Sequence, residues 1–219
     1  MADFTSEQVF ETMRQTGLLP LFYHPEMDVC KKVIRACYKG GARVFEFTDR
    51  GENAAELFKE LKRFVLEELP EMKLGIGTVM NAETAEKYIG LGADFIVCPI
   101  MKAEVAAVCV KHNILWAPGC GTLTEMVTAT ELGAQVVKMF PAAEVGGPGF
   151  VKAAKAPCPW LQIMPTGGVS ADEENLTAWF NAGVTCVGMG SKLIQTEDME
   201  ALTEKVASTL GLIERIRNR

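Results

Sequence analysis

Gln135-Val136-Val137-Lys138-Met139-Phe140-Pro141 is a strand-length, almost wholly apolar run with a single lysine at its centre. Val136 and Val137 favour a pleated, buried backbone, and Pro141 cannot extend a hydrogen-bonded ladder, so the strand ends there. A continuous apolar run, as opposed to an alternating one, is what a parallel sheet covered by helices on its outer face requires. Lys138 is therefore expected in a low-dielectric interior. Burial there disfavours the ammonium and favours a neutral, nucleophilic amine. The competing reading is a lysine that snorkels to solvent from a strand end.

The same sentence of sequence is written four times. Gly41-Ala42-Arg43-Val44-Phe45-Glu46-Phe47, Gly92-Ala93-Asp94-Phe95-Ile96-Val97-Cys98 and Gly133-Ala134-Gln135-Val136-Val137-Lys138-Met139 share one form, and Gly183-Val184-Thr185-Cys186-Val187-Gly188 is a looser copy. Each follows an amphipathic helical stretch, so its glycine reads as a helix stop leading straight into a strand. The copies lie about 40 to 50 residues apart, room for two βα units each. The missing strands fall between them, at Gly17-Leu18-Leu19-Pro20-Leu21-Phe22-Tyr23, Lys73-Leu74-Gly75-Ile76-Gly77-Thr78-Val79, Ile114-Leu115-Trp116-Ala117-Pro118 and Leu161-Gln162-Ile163-Met164-Pro165. Eight strands alternating with helices predict an α/β chain folded as a (β/α)8 TIM barrel, residues 1–219 forming one domain. Thr5 or Ser6 starts an additional N-terminal helix, Asp28 is expected to cap the next, and the last helix should run over 198–217. A doubly wound open sheet is the alternative, but no G-x-G-x-x-G opens the first helix.

Composition narrows the function. Of 219 residues, 48% are hydrophobic and 23% charged, enough for a sizeable core and too apolar for disorder. A formal charge of −6 argues against a nucleic-acid surface. No apolar run approaches membrane-spanning length, and the N-terminus lacks a signal-peptide pattern. Seven cysteines without a C-x-x-C suggest reduced thiols and a cytoplasmic location. His24 and His112 have no partners at ligand spacing, so no metal site is expected. Cys98, Cys109, Cys186 and the methionines read as core.

Barrel chemistry sits at the C-terminal ends of strands. Those ends gather Glu46, Thr48, Arg50, Thr78, Pro99, Pro118, Gly119, Lys138, Phe140, Thr166, Gly167, Gly168, Gly190 and Ser191. Lys138 is the candidate nucleophile and Glu46 the candidate acid/base, unless the two only form a buried salt bridge. The glycines after the seventh and eighth expected strands suit a phosphate or carboxylate, because bare backbone N–H groups and a following helix start favour an anion.

Taken in order, Phe45-Glu46-Phe47-Thr48-Asp49-Arg50, Gly75-Ile76-Gly77-Thr78-Val79, Trp116-Ala117-Pro118-Gly119, Val137-Lys138-Met139-Phe140-Pro141-Ala142 and Pro165-Thr166-Gly167-Gly168-Val169 resemble the class I 2-keto-3-deoxy-6-phosphogluconate (KDPG) / 4-hydroxy-2-oxoglutarate (KHG) aldolases. The resemblance implies a cofactor-free, metal-independent lyase, a homotrimer acting on a small, phosphorylated 2-keto acid through an imine on Lys138. It also implies that Glu46 moves protons, that Arg50, Thr78 and Thr166 hold the carboxylate and hydroxyls, and that Gly167, Gly168, Gly190 and Ser191 receive the phosphate. Asp49 before the arginine, Gly51 after it and the Gly188-Met189-Gly190-Ser191-Lys192 loop depart from the usual pattern and bear on substrate preference. A 6-phosphogalactonate-type aldolase, a phosphate-sugar isomerase and a non-catalytic keto-acid-binding barrel are the alternatives.

Overall fold

In the computed structural model the chain is described over residues 2–195 and 197–218. Helices and strands alternate as α1 (Ser6–Thr16), β1 (Leu18–Phe22), α2 (Met27–Lys39), β2 (Val44–Thr48), α3 (Ala54–Glu68), β3 (Lys73–Gly77), α4 (Ala82–Gly90), β4 (Phe95–Val97) and α5 (Ala103–His112). They continue as β5 (Leu115–Ala117), β6 (Gly119–Cys120), α6 (Leu123–Glu131), β7 (Val137–Met139), α7 (Gly147–Lys155), β8 (Ile163–Pro165), α8 (Glu173–Asn181), β9 (Val187–Met189) and α9 (Met199–Arg217).

All strand pairs are parallel and form two arcs, β5-β4-β3-β2-β1-β9 and β6-β7-β8. The extra strand arises at Pro118. Without an N–H this residue cannot donate to the ladder, so the fifth expected strand, 114–118, ends as β5 before it, and a further short strand, β6, follows at Gly119–Cys120. The Pro118 carbonyl still accepts from Lys138 N at 2.8 Å. At the other seam Thr166 bridges to Gly188, and Thr185 N donates to Ile163 O at 2.9 Å.

The glycines of the repeat explain why it repeats. Gly41, Gly92, Gly133 and Gly183 all have φ between 92° and 103°. That left-handed conformation ends a helix and turns the chain into the following strand, and it penalises any residue with a Cβ.

Alternation along the strands sorts the core into two layers. Phe45, Phe47, Val137 and Met139 pack outward among the helices. Val44, Val136, Leu19, Phe95, Leu115, Met164 and Cys186 form a separate inner cluster, to which α1 contributes Val9 and Met13. Glu46 and Lys138 share the parity of Val44 and Val136, so both point inward, one layer nearer the C-terminal strand ends.

Two expectations need correcting. Asp28 does not cap α2; Glu26 occupies that position without a side-chain cap bond, and Asp28 lies in the first turn. The last strand is confined to Val187–Met189, later than the 183–188 run. The helix at 198–217 is found as α9, capped by Asp198, and α1 carries the capping box of Thr5 and Gln8. Among the described residues no helix is long and apolar enough to cross a membrane.

Candidate active site

Lys138 enters from the middle of β7, opposite Gly119 of β6 and Met164 of β8. It is 6% exposed, and its amine lies 4.8 Å from the centroid of the Phe140 ring. The snorkelling alternative is thereby excluded: the side chain stays inside. Glu46 enters from β2, register-paired with Leu21 of β1 and Gly75 of β3, and is 1% exposed. Among the described residues the two form no ion pair, and Glu46 Oε2 has no hydrogen-bond partner in the protein. A buried structural salt bridge is therefore not what holds them. Burial pushes the Glu46 carboxyl above the usual carboxylate range, against the opposing pull of the Lys138 and Arg50 charges.

Room for Glu46 comes from Gly77, at the end of β3. Beyond it Thr78 adopts φ 69°, unusual for a β-branched residue and a sign of local strain. Gly119 permits another close approach, since a Cβ there would lie 2.1 Å from the Pro99 carbonyl oxygen. Pro99, Pro118 and Gly119 thus form the wall beside Lys138, with Pro118 and Gly119 buried.

A cavity of about 500 Å³ opens at the same strand ends. Arg50, Phe140, Thr166, Gly167, Gly168, Gly190 and Ser191 line it, as do Tyr23, Thr48 and Lys192. Lys138, Glu46, Thr78, Pro99, Pro118 and Gly119 are not on this wall. Thr166 is 7% exposed, and its buried hydroxyl has no partner in the protein. It rests over Gly188, where a Cβ would lie 2.3 Å from Thr166 Oγ1. Two buried polar groups with unused hydrogen-bonding capacity, Glu46 and Thr166, are the mark of a site awaiting a polar ligand.

The glycine loops are tied together. Ala142 N donates to Thr166 O at 3.0 Å and Ala143 N to Gly167 O at 3.2 Å, joining the loop after β7 to the loop after β8. Gly167 and Gly168 have φ of 91° and 80°. Among the described residues, neither they nor Ser191 and Lys192 donate to a main-chain acceptor outside the helices and strands. The helix start expected beside them is elsewhere: α8 begins at Glu173 and is capped by Asp172, and a turn at 191–194 precedes α9. The amides offered to an anion are therefore loop amides.

Asp49 was expected from the sequence to bear on substrate preference as an acidic neighbour of Arg50. Its carboxylate turns away from the cavity and accepts from the Tyr88 hydroxyl at 2.8 Å, fastening β2 to α4. It leaves the Arg50 charge unneutralised. Tyr23 was missed as a cavity residue, although it ends the first expected strand and the rule that barrel chemistry gathers at strand ends marks it. Trp116 packs in the outer layer and directs Nε1 to Cys98 Sγ at 3.4 Å. Among the described residues no three His, Cys, Asp or Glu side chains cluster as metal ligands.

An inward amine, a separate buried carboxyl and a cavity lined by Arg50 and Lys192 over strand ends are groups an imine-forming lyase would use. The sequence model described as KDPG and KHG aldolase matches residues 9–207, and the chain belongs to that aldolase family. It is 29% identical over 214 residues to the 2-dehydro-3-deoxy-phosphogluconate aldolase of Haemophilus influenzae, covering 96% of this chain and 99% of that protein. To the 2-dehydro-3-deoxy-6-phosphogalactonate aldolase of Escherichia coli K12 it is 36% identical over 137 residues, or 62% and 65% of the two chains. A solved 4-hydroxy-2-oxoglutarate/2-dehydro-3-deoxyphosphogluconate aldolase from TTHB1 superposes with a TM-score of 0.81 at 30% identity, covering 93% of this chain and 98% of that one.

Proposed function

We propose that this aldolase cleaves 2-keto-3-deoxy-6-phosphogluconate to pyruvate and glyceraldehyde 3-phosphate, and the shorter 4-hydroxy-2-oxoglutarate to pyruvate and glyoxylate. In this reading the two arcs close as a (β/α)8 barrel in a cytoplasmic homotrimer. The observation that carries it is the buried, inward Lys138 together with a separately buried Glu46 whose carboxyl feels the Lys138 charge.

The Lys138 amine attacks the C2 carbonyl of the keto acid, and loss of water leaves an iminium. Glu46, directly or through a water, removes the C4 hydroxyl proton as the C3–C4 bond breaks and its electrons flow to the iminium nitrogen. The aldehyde leaves; the enamine takes a proton at C3, and hydrolysis frees pyruvate and the lysine. The raised proton affinity of Glu46 suits this exchange, since it brings the carboxyl closer to neutrality than an exposed glutamate. Arg50, Thr78 and Thr166 hold the carboxylate and hydroxyls, with Pro99, Pro118, Gly119 and Phe140 shaping the apolar wall. Gly167, Gly168, Gly190 and Ser191 offer amides to the phosphate. The imine is itself the electron sink, so the reaction as written uses no cofactor.

The phosphogalactonate relative supports a second reading, in which the preferred substrate differs only in hydroxyl stereochemistry. Pyruvate release from both six-carbon phosphates and from 4-hydroxy-2-oxoglutarate, followed with purified protein, ranks the three. Release from none of them overturns the reading.

A further inference from the structure

We propose that Tyr23 is a substrate-selecting residue whose hydroxyl donates to the phosphorylated end of the substrate; the proposal rests on the aldolase reading above. Tyr23 follows β1 directly, and β1 lies between β2 and β9 in the sheet. Its side chain therefore stands between the loop carrying Arg50 and the loop carrying Ser191 and Lys192, and all four residues line the one cavity.

The phenol is held there by two features. Its ring tilts against Phe47, with centroids 5.5 Å apart, which fixes it on the rigid outer layer of β2. Its hydroxyl occupies the space that a side chain at position 51 would fill: a Cβ on Gly51 would lie 1.8 Å from the Tyr23 oxygen. Any other residue at 51 would displace the phenol. Gly51, one of the departures from the family pattern, is thus coupled to the placement of Tyr23.

The hydroxyl makes no hydrogen bond within the described protein. Neither Arg50 nor Lys192 is ion-paired there, and Asp49 is engaged with Tyr88. Arg50 and Lys192 line the same cavity as the phenol and no acidic residue among those described lines it, so the cavity offers a free hydroxyl donor together with two cations, a combination that suits a phosphate ester.

Tyr23→Phe keeps the ring and its contact with Phe47 and removes only the donor. It should lower kcat/KM for the phosphorylated six-carbon substrate about 10- to 100-fold, mainly through KM, the usual effect of losing one hydrogen bond to a charged group. Cleavage of 4-hydroxy-2-oxoglutarate, which has no phosphate, should stay within about twofold, and borohydride trapping of pyruvate should be unchanged. Gly51→Ala, which displaces the phenol by a different route, should reproduce the same selective loss. Equal losses on both substrates, or no change in preference in Tyr23→Phe, overturns the proposal. Failure of the wild-type protein to trap pyruvate would instead overturn the aldolase reading beneath it.

Discussion

Gly77 and Glu46 occupy one another's space: a Cβ on Gly77 would lie 1.7 Å from Glu46 Oε1 and 2.4 Å from its carboxyl carbon. The glycine at the end of β3 is what lets a carboxylate from β2 lie inside the sheet. Gly77→Ala should push Glu46 out of position without touching Lys138. Expected is a fall in kcat of roughly 10²-fold, at the low end of the range for a positioned acid/base group, with imine trapping by pyruvate retained. Loss of trapping in step with kcat would mean that the alanine disrupts the site as a whole.

Glu46 also makes stability depend on pH. Its folded-state proton affinity is raised by burial, so the folded chain holds this proton where the unfolded chain has released it. The protonated form fits the site, and that stability is fully present below the ordinary glutamate range. It is lost as pH rises through the folded-state value. Glu46→Gln removes the ionisation. It should raise Tm relative to wild type at pH 8, about 2–4 °C for each kcal/mol gained, and the difference should shrink toward pH 4. A Tm gain that grows on acidification contradicts this assignment. The same variant should still form the imine yet cleave about 10²- to 10⁴-fold more slowly.

Thr78 holds φ 69° immediately after Gly77. Glycine tolerates that backbone, so Thr78→Gly should relieve strain of order 1 kcal/mol, partly offset by the freedom it gives the unfolded chain. Activity should fall if Thr78 holds substrate as proposed above. Urea denaturation with parallel kinetics checks both, and a variant that is as active as wild type removes Thr78 from the site.

On the opposite face of the sheet, Lys62 of α3 is buried and bonds Asp94 Oδ2 at 2.7 Å and Asp3 Oδ2 at 2.8 Å. Asp94 also accepts from Leu74 N and Asp3 N. Removing one member of such a cluster strands buried charge, so Lys62→Met should cost about 3–5 kcal/mol of stability. kcat in the folded fraction should be unchanged. A loss below about 1 kcal/mol would show the cluster to be solvent-screened.

What could be read in the sequence was what local periodicity encodes. The four glycines at 41, 92, 133 and 183 announced their left-handed turns, because few other residues tolerate them. Strand parity turned Glu46 and Lys138 inward, and their separation from one another followed once the salt bridge proved absent. Contacts between distant residues left no such trace. Lys62 reads as one polar residue on a helix, and Asp94 as the variable position of a repeat, until the fold brings them together. Asp49 looked like a neighbour of the arginine but serves Tyr88, 39 residues away. Tyr23 and Gly51 are likewise paired only in three dimensions. Pro118 was read as a strand end, yet β6 resumes after it, since a single missing donor interrupts a ladder without redirecting the chain.

The central claim is that Lys138 forms the imine. Incubating the protein with pyruvate, reducing with sodium borohydride and mapping the added mass by peptide mass spectrometry tests it directly. The account predicts irreversible inactivation, with one pyruvate-derived adduct on the peptide containing Lys138 and none in Lys138→Met, which should stay folded because an apolar side chain of similar length replaces the amine. An adduct on another lysine, or full activity after reduction, would contradict it.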